Sequence, residues 1–199
     1  MSWIQKRRSD SYYQKAKKEG FRSRASYKLI QINEKFNIIK NGRKILDLGA
    51  SPGGWSQVIA SLNKDGLNVA VDIIPMPPLP GVIFLKADIF STDIGEKLLN
   101  KSEFGYDLIL SDILMHTSGD KSIDHANSYF ILKRILEISN MVLNDNGKVL
   151  AKMLQGDLTE NIKHEYSKQF RRVRITKPPS SLPSSPEIYI LAEGFSKEK

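Results

Sequence analysis

Cysteine is absent from this 199-residue chain. That excludes disulfides and every thiolate-ligated metal, and it fits a reducing compartment such as the cytoplasm. Histidine is almost as scarce. The three residues, His116, His125 and His164, are scattered and give no ligand constellation, so no metal is expected. No apolar run approaches a membrane span, and Met1 to Arg8 lacks the apolar core of a secretion signal. A membrane is therefore not expected as a partner. There is no internal repeat, and the length suits one packed α/β domain better than two.

Acidic residues are few where basic residues gather. Residues 1–44 hold thirteen Lys and Arg against three Asp and Glu, whereas the other 155 hold seventeen against nineteen. The net charge of +8 thus resides in an N-terminal arm over a near-neutral body. Localised positive charge, with Tyr12, Tyr13, Phe21 and Tyr27 interleaved, is the footprint of a nucleic-acid partner, because neutralised phosphates release counterions. A solvated helix face would carry the same charge without a partner. The arm lacks the continuous apolar stripe that a membrane surface would require.

The hydropathy pattern alternates strands and helices, as in a mainly parallel sheet covered on both faces. Helices are expected at 11–18, 23–36, 54–62, 93–100, 123–143 and 158–170. Strands are expected at 44–48, 67–72, 82–86, 106–111, 148–154, 172–176 and 187–192. The last two strands are joined by a Pro/Ser-rich loop rather than a helix, so strand seven can run antiparallel beside strand six. Ligands of such sheets bind beyond the carboxyl ends of the strands, where Asp47, Asp72, Asp88 and Asp112 should converge.

The segment Ile45 to Trp55, with Asp47, Gly49, Gly53 and Gly54, reads as the first strand, a glycine turn and a helix start. Its spacing is not the G-x-G-x-x-G of a dinucleotide site. A carboxylate at Asp47 would repel a pyrophosphate but suits a cationic cofactor without phosphate, such as S-adenosylmethionine. Asp72, at the end of strand two, can take two ribose hydroxyls; a surface acid would look the same. Asp88 can accept from an adenine amino group or serve as a cap or turn residue. Trp55 either packs over the cofactor or belongs to the core.

Lys152 lies inside the apolar run Val149 to Leu154, where an ammonium is costly to bury. Strands four and five are expected to be neighbours, so Asp112 and Lys152 can meet. One reading is a lysine tuned as general base, held by carboxylates and crowded by the second cation Lys28. A salt-bridged lysine at a strand end is the other.

Phe21 to Leu29, Asp47 to Gln57, the segment Asp72 to Met76, Ser111-Asp112, Lys152 with Gln155-Gly156, and Glu187 to Tyr189 occur in this order. Together they resemble the FtsJ/RrmJ family of large-subunit ribosomal RNA 2′-O-ribose methyltransferases, over residues 15–194. The resemblance implies a Rossmann-like class I S-adenosylmethionine-dependent fold. Its seven-stranded sheet would be mostly parallel, with an antiparallel last strand and helices on both faces. It implies a Lys-Asp-Lys-Glu tetrad at Lys28, Asp112, Lys152 and Glu187, and cofactor contacts at Gly53, Trp55, Asp72, Asp88 and Asp112. Asp47, Gly49 and Gly54 join that set from the glycine turn.

Two departures stand out: Ile113 to His116 replace the family's small residue and Ala-Pro, and Leu182-Pro183 stands where arginine commonly follows the serines. The expected organisation is a basic helical arm, 1–36, packed on a methyltransferase domain, 37–199. Arg7, Arg8, Lys17, Lys18, Arg22 and Arg24 would grip RNA. The substrate so implied is a uridine of large-subunit ribosomal RNA, bound as RNA or as the assembled subunit by a monomeric, cytoplasmic enzyme. A tRNA anticodon-loop methyltransferase and a non-catalytic ribosome-assembly factor are the alternatives.

Overall fold

The computed structural model describes residues 10–114 and 118–197, so Arg7, Arg8, Met115 and His116 lie outside the described residues. Helices α1 (Ser11–Lys18) and α2 (Ser26–Phe36) precede β1 (Lys44–Leu48) and α3 (Gly54–Leu62). β2 (Leu67–Asp72) and β3 (Ile83–Lys86) follow, then α4 (Ile94–Leu99) and β4 (Tyr106–Ser111). The chain continues through α5 (Lys121–Val142), β5 (Leu143–Leu154), α6 (Thr159–Ser167), β6 (Phe170–Thr176) and β7 (Glu187–Phe195).

The seven strands form one sheet in the order β3-β2-β1-β4-β5-β7-β6. β7 is the antiparallel strand, and it pairs with β5 as well as with β6. The hairpin loop 177–186 therefore returns the chain into the sheet beside β5, and this places Glu187 opposite Leu154 and Tyr189 opposite Lys152. Strand alternation sends Leu150, Tyr189 and Leu191 to one face, where Leu29 and Ile32 of α2 and Trp55, Val58 and Ile59 of α3 meet them. Val149, Ala151 and Met153 point the other way, into a core made with α4, α5 and α6.

Several boundaries differ from the sequence expectation: α6 stops at Ser167, β6 begins at Phe170, β7 runs on to Phe195, and β3 and α4 are each shorter by a residue at one or both ends. Three more differ for a local reason. α2 starts at Ser26, not 23, because the Ser23 hydroxyl accepts from Ala25 N in a turn before the helix. α5 starts at Lys121, since Asp120 caps it by accepting from Ser122 N and Ile123 N. β5 begins at Leu143, directly after α5, where the helix-to-strand change needs no separate loop.

The segment between α1 and α2 is stapled to α3. Arg22 N donates to Gln57 Oε1 at 2.7 Å, Gln57 Nε2 to Gly20 O at 3.0 Å, and Trp55 Nε1 to Ala25 O at 2.9 Å. Ser26 Oγ adds a bond to Gly54 O. Residues 20–26 are thereby held against the start of α3.

Candidate active site

The glycine turn is built where β1 ends. Gly49 N and Ala50 N both donate to Val71 O, folding the chain back beside β2. Gly49 has φ +72° and Gly53 φ +104°, left-handed values that glycine adopts without strain. As the N-cap of α3, Gly53 supplies no side-chain acceptor to the first N–H groups of that helix. A Cβ on Gly49 would lie 2.1 Å from Ile113 Cγ1, so the residue after Asp112 seats itself on this glycine. Gly49→Ala is thus expected to lose roughly 1–2 kcal/mol to the left-handed backbone alone, with the overlap added. Thermal denaturation should show Ile113→Ala recovering the overlap but not the backbone part.

Asp47, Asp72 and Asp112 lie close enough for their charges to interact. Asp47 is 2% exposed and accepts from Ser56 Oγ at 2.6 Å. Burial pushes its pKa up to about 7; the charges of Asp112 and Asp72 add to this, and the Ser56 bond opposes it. Asp72 accepts from Ser51 N at 2.9 Å and from Ile74 N at 2.8 Å, one bond per oxygen. Each oxygen retains acceptor capacity for a ribose hydroxyl. Asp88 is exposed and accepts from Phe90 N in a turn; the cap at the start of α4 is Asp93. Trp55 is buried against Tyr189, ring centroids 5.8 Å apart, in the core.

At the carboxyl-terminal ends of β4 and β5 the charged residues form two pairs. Lys152 Nζ lies 3.2 Å from Asp112 Oδ1 and donates to Asp112 O at 2.6 Å. Lys28 Nζ donates to Glu187 Oε2 at 2.8 Å. Both lysines are buried, so neither pair is a mobile surface contact. Burial would raise the Glu187 carboxyl, but Lys28 beside it, with Lys152 and Ser185, holds it below its ordinary value. The influence of Lys152 on Glu187 links the two pairs electrostatically. All four expected tetrad residues thus meet at one end of the sheet.

Tyr189 is the member that sequence reasoning did not assign a role. Its hydroxyl donates to Asp112 Oδ1 at 2.6 Å, and burial together with the Asp112 charge raises its pKa well above the ordinary tyrosine value. Period-two spacing from Glu187 was the available signal, since residues i and i+2 of a strand share a face.

The structure gives Arg22 and Arg24 intramolecular partners. Arg22 donates to Pro77 O and Pro78 O, each at 2.8 Å, and to Pro52 O, bracing the proline crossover against the glycine turn. Arg24 pairs with Asp10 and donates to Ser180 O at 2.7 Å. Lys17 and Lys18 are exposed.

The carboxylate crevice fits S-adenosylmethionine: concentrated negative charge suits a cation, and Asp72 offers acceptors to a ribose diol. Among the described residues, no cluster of His, Cys, Asp or Glu could hold a metal ion, and no helix is long and apolar enough to cross a membrane.

Comparison with known proteins brings in the family. The model of the FtsJ-like methyltransferases matches residues 21–195. The chain is 42% identical to the ribosomal RNA large subunit methyltransferase E of Picrophilus torridus, over 92% of this chain and 96% of that one. It is 39% identical to the protein of the same name from Methanothermobacter thermautotrophicus, over 99% and 95% of the two chains. A solved chain from Plasmodium falciparum, described as a ribosomal RNA methyltransferase, superposes with a TM-score of 0.80 at 33% identity. That match covers 88% of this chain and 98% of the other.

Proposed function

We propose, from the premise that the chain belongs to the FtsJ-like methyltransferase family, that it methylates a ribose 2′-hydroxyl of large-subunit ribosomal RNA. A uridine is the proposed target, and S-adenosylmethionine the proposed donor. The observation that carries the reading is the pairing of Lys152 with Asp112 and of Lys28 with Glu187 around one crevice.

S-adenosylmethionine, when bound, supplies an activated sulfonium methyl, so the protein has only to align the hydroxyl and take its proton. Lys152 Nζ is the group to orient the 2′-hydroxyl and accept that proton. Asp112, fixed by Tyr189, holds Lys152 in place and lies on the cofactor side. Glu187 anchors Lys28, whose charge is available to a phosphate. Asp72 would hold the cofactor ribose, and Asp88 its base. Asp47 supplies negative charge beneath the turn formed by Gly49, Gly53, Gly54 and Trp55.

The RNA backbone is assigned first to Lys17 and Lys18, together with Arg7 and Arg8 nearer the N-terminus. Arg22 and Arg24 then shape the surface rather than grip it. Replacing Lys17 and Lys18 together with alanine is expected to raise KM for RNA and leave kcat within about twofold. The plot of log affinity against log salt should flatten by about one unit per lost phosphate contact.

The decisive experiment is methyl transfer from labelled S-adenosylmethionine to large ribosomal subunits that lack the modification. Ribose-linked label mapped to one nucleotide is the expected result. Label on tRNA alone would move the substrate, and binding of cofactor and RNA without transfer would sink the catalytic assignment.

A further inference from the structure

The first turns of α5 contain a histidine that the proposed chemistry does not use. His125 is 7% exposed, and both ring nitrogens are engaged. Leu158 N donates to Nε2 at 2.8 Å, so Nδ1 carries the proton and donates to Leu154 O at 2.7 Å. One ring therefore spans the turn that follows β5. The glycine within that turn lies flat on the imidazole, since a Cβ on Gly156 would come within 2.6 Å of it.

Neighbouring residues complete the grip. Ser128, one turn along α5, donates to His125 O at 2.8 Å and accepts from Leu154 N at 3.2 Å. The N–H and the carbonyl of Leu154 are thus both taken by side chains of α5. Leu154 stands two residues beyond Lys152 and opposite Glu187, and Gln155 N donates to Pro186 O at 2.8 Å. Asp124, adjacent to His125, accepts from Ser118 N at 2.6 Å and from Ser118 Oγ at 2.9 Å. Successive residues of one helix turn therefore hold the segments that follow β4 and β5, the strands leading to Asp112 and Lys152.

We propose that His125 is a positioning residue for the tetrad, clamping the end of β5 so that Lys152 meets Asp112 and Glu187 in register. This rests on the methyltransferase reading for its catalytic consequence, but the clamp itself is independent of it. Displacing a reacting group by about 1 Å can cost on the order of 10²-fold in rate, which sets the scale of the expected effect.

The test compares wild type with His125→Phe, which retains a ring and loses both bonds. His125→Gln can keep an acceptor for Leu158 N, and His125→Asn can keep a donor to Leu154 O. His125→Phe is expected to lower kcat by about ten- to a hundredfold, while KM for RNA and the Kd of S-adenosylmethionine stay within about twofold. The Leu158 amide should exchange faster with solvent, and the Lys152 side-chain NMR signals should shift. His125→Gln and His125→Asn should each fall between wild type and His125→Phe in kcat, which keeps the idea testable if the Phe variant does not fold. Unchanged kcat with a freed Leu158 amide would overturn the proposal, as would a Leu158 amide that exchanges as slowly as in wild type. A wild-type enzyme without transferase activity would instead refute the function, and the exchange and NMR readouts would still decide the clamp.

Discussion

Replacing Lys152 by alanine is expected to lower kcat by roughly 10²–10⁴-fold, the range that a positioned general base contributes. The side chain is 6% exposed and is held at two points by Asp112, so its amine is fixed in place. Asp112 retains its bond from Tyr189 in the variant, and the fold should survive, as thermal denaturation can check. Lys152→Arg separates two roles. Arginine keeps the charge and a partner for Asp112 but does not lose its proton in proteins. If Lys152→Arg is as inactive as Lys152→Ala in single-turnover transfer, lysine removes the proton. If it keeps most of the activity, lysine only orients the hydroxyl. Near-wild-type rates in both variants would remove Lys152 from the mechanism.

The parts of this site that were legible in the sequence are those written in short stretches. A strand, a glycine turn and a helix start occupy Ile45 to Trp55 together, and the acids at strand ends follow from where each apolar run stops. Lys152 was conspicuous because an ammonium within an apolar run needs a partner. The contacts that escaped notice join distant positions. Tyr189 and Asp112 are 77 residues apart, His125 and Leu154 are 29 apart, and Arg22 and Pro77 are 55 apart. Each depends on strand order or register, which hydropathy does not specify.

Arg22 and Arg24 illustrate the same limit. A basic arm in a sequence carries no sign of which charges face outward. Here the proline crossover and the loop before β7 present carbonyl groups within reach, and the two guanidiniums take them. Arginine's fixed fork of donors favours such multiple carbonyl bonds, whereas the exposed lysines keep their charge in solvent. In the sequence His125 is only one of three scattered histidines, because a ring whose two nitrogens serve the backbone of a distant turn leaves no pattern in composition.

Asp47→Asn is expected to stabilise the protein at pH 8 by on the order of 4 kcal/mol and to change little near pH 4. The sign follows from its raised pKa. With a native value of about 7 against an ordinary 3.8, the folded state keeps a proton that the unfolded chain has already released. Stability conferred by that proton is complete below about pH 4, falls as the pH climbs, and is gone above about 7. Asparagine has no such titration, and its carbonyl can still accept from Ser56 Oγ, the bond Asp47 now makes. Urea denaturation from pH 4 to pH 9 should therefore give a sloping curve for wild type and a flatter one for the variant; parallel curves would refute the assignment. An acid that weakens the fold at physiological pH calls for a compensating use, and the crevice supplies one. If the proposed donor binds in this crevice, its positive charge would favour the ionised form of Asp47, so cofactor affinity should rise with pH through about 7 in wild type. That rise should be absent in Asp47→Asn, which would bind the cofactor more weakly at pH 8 while unfolding at a higher urea concentration.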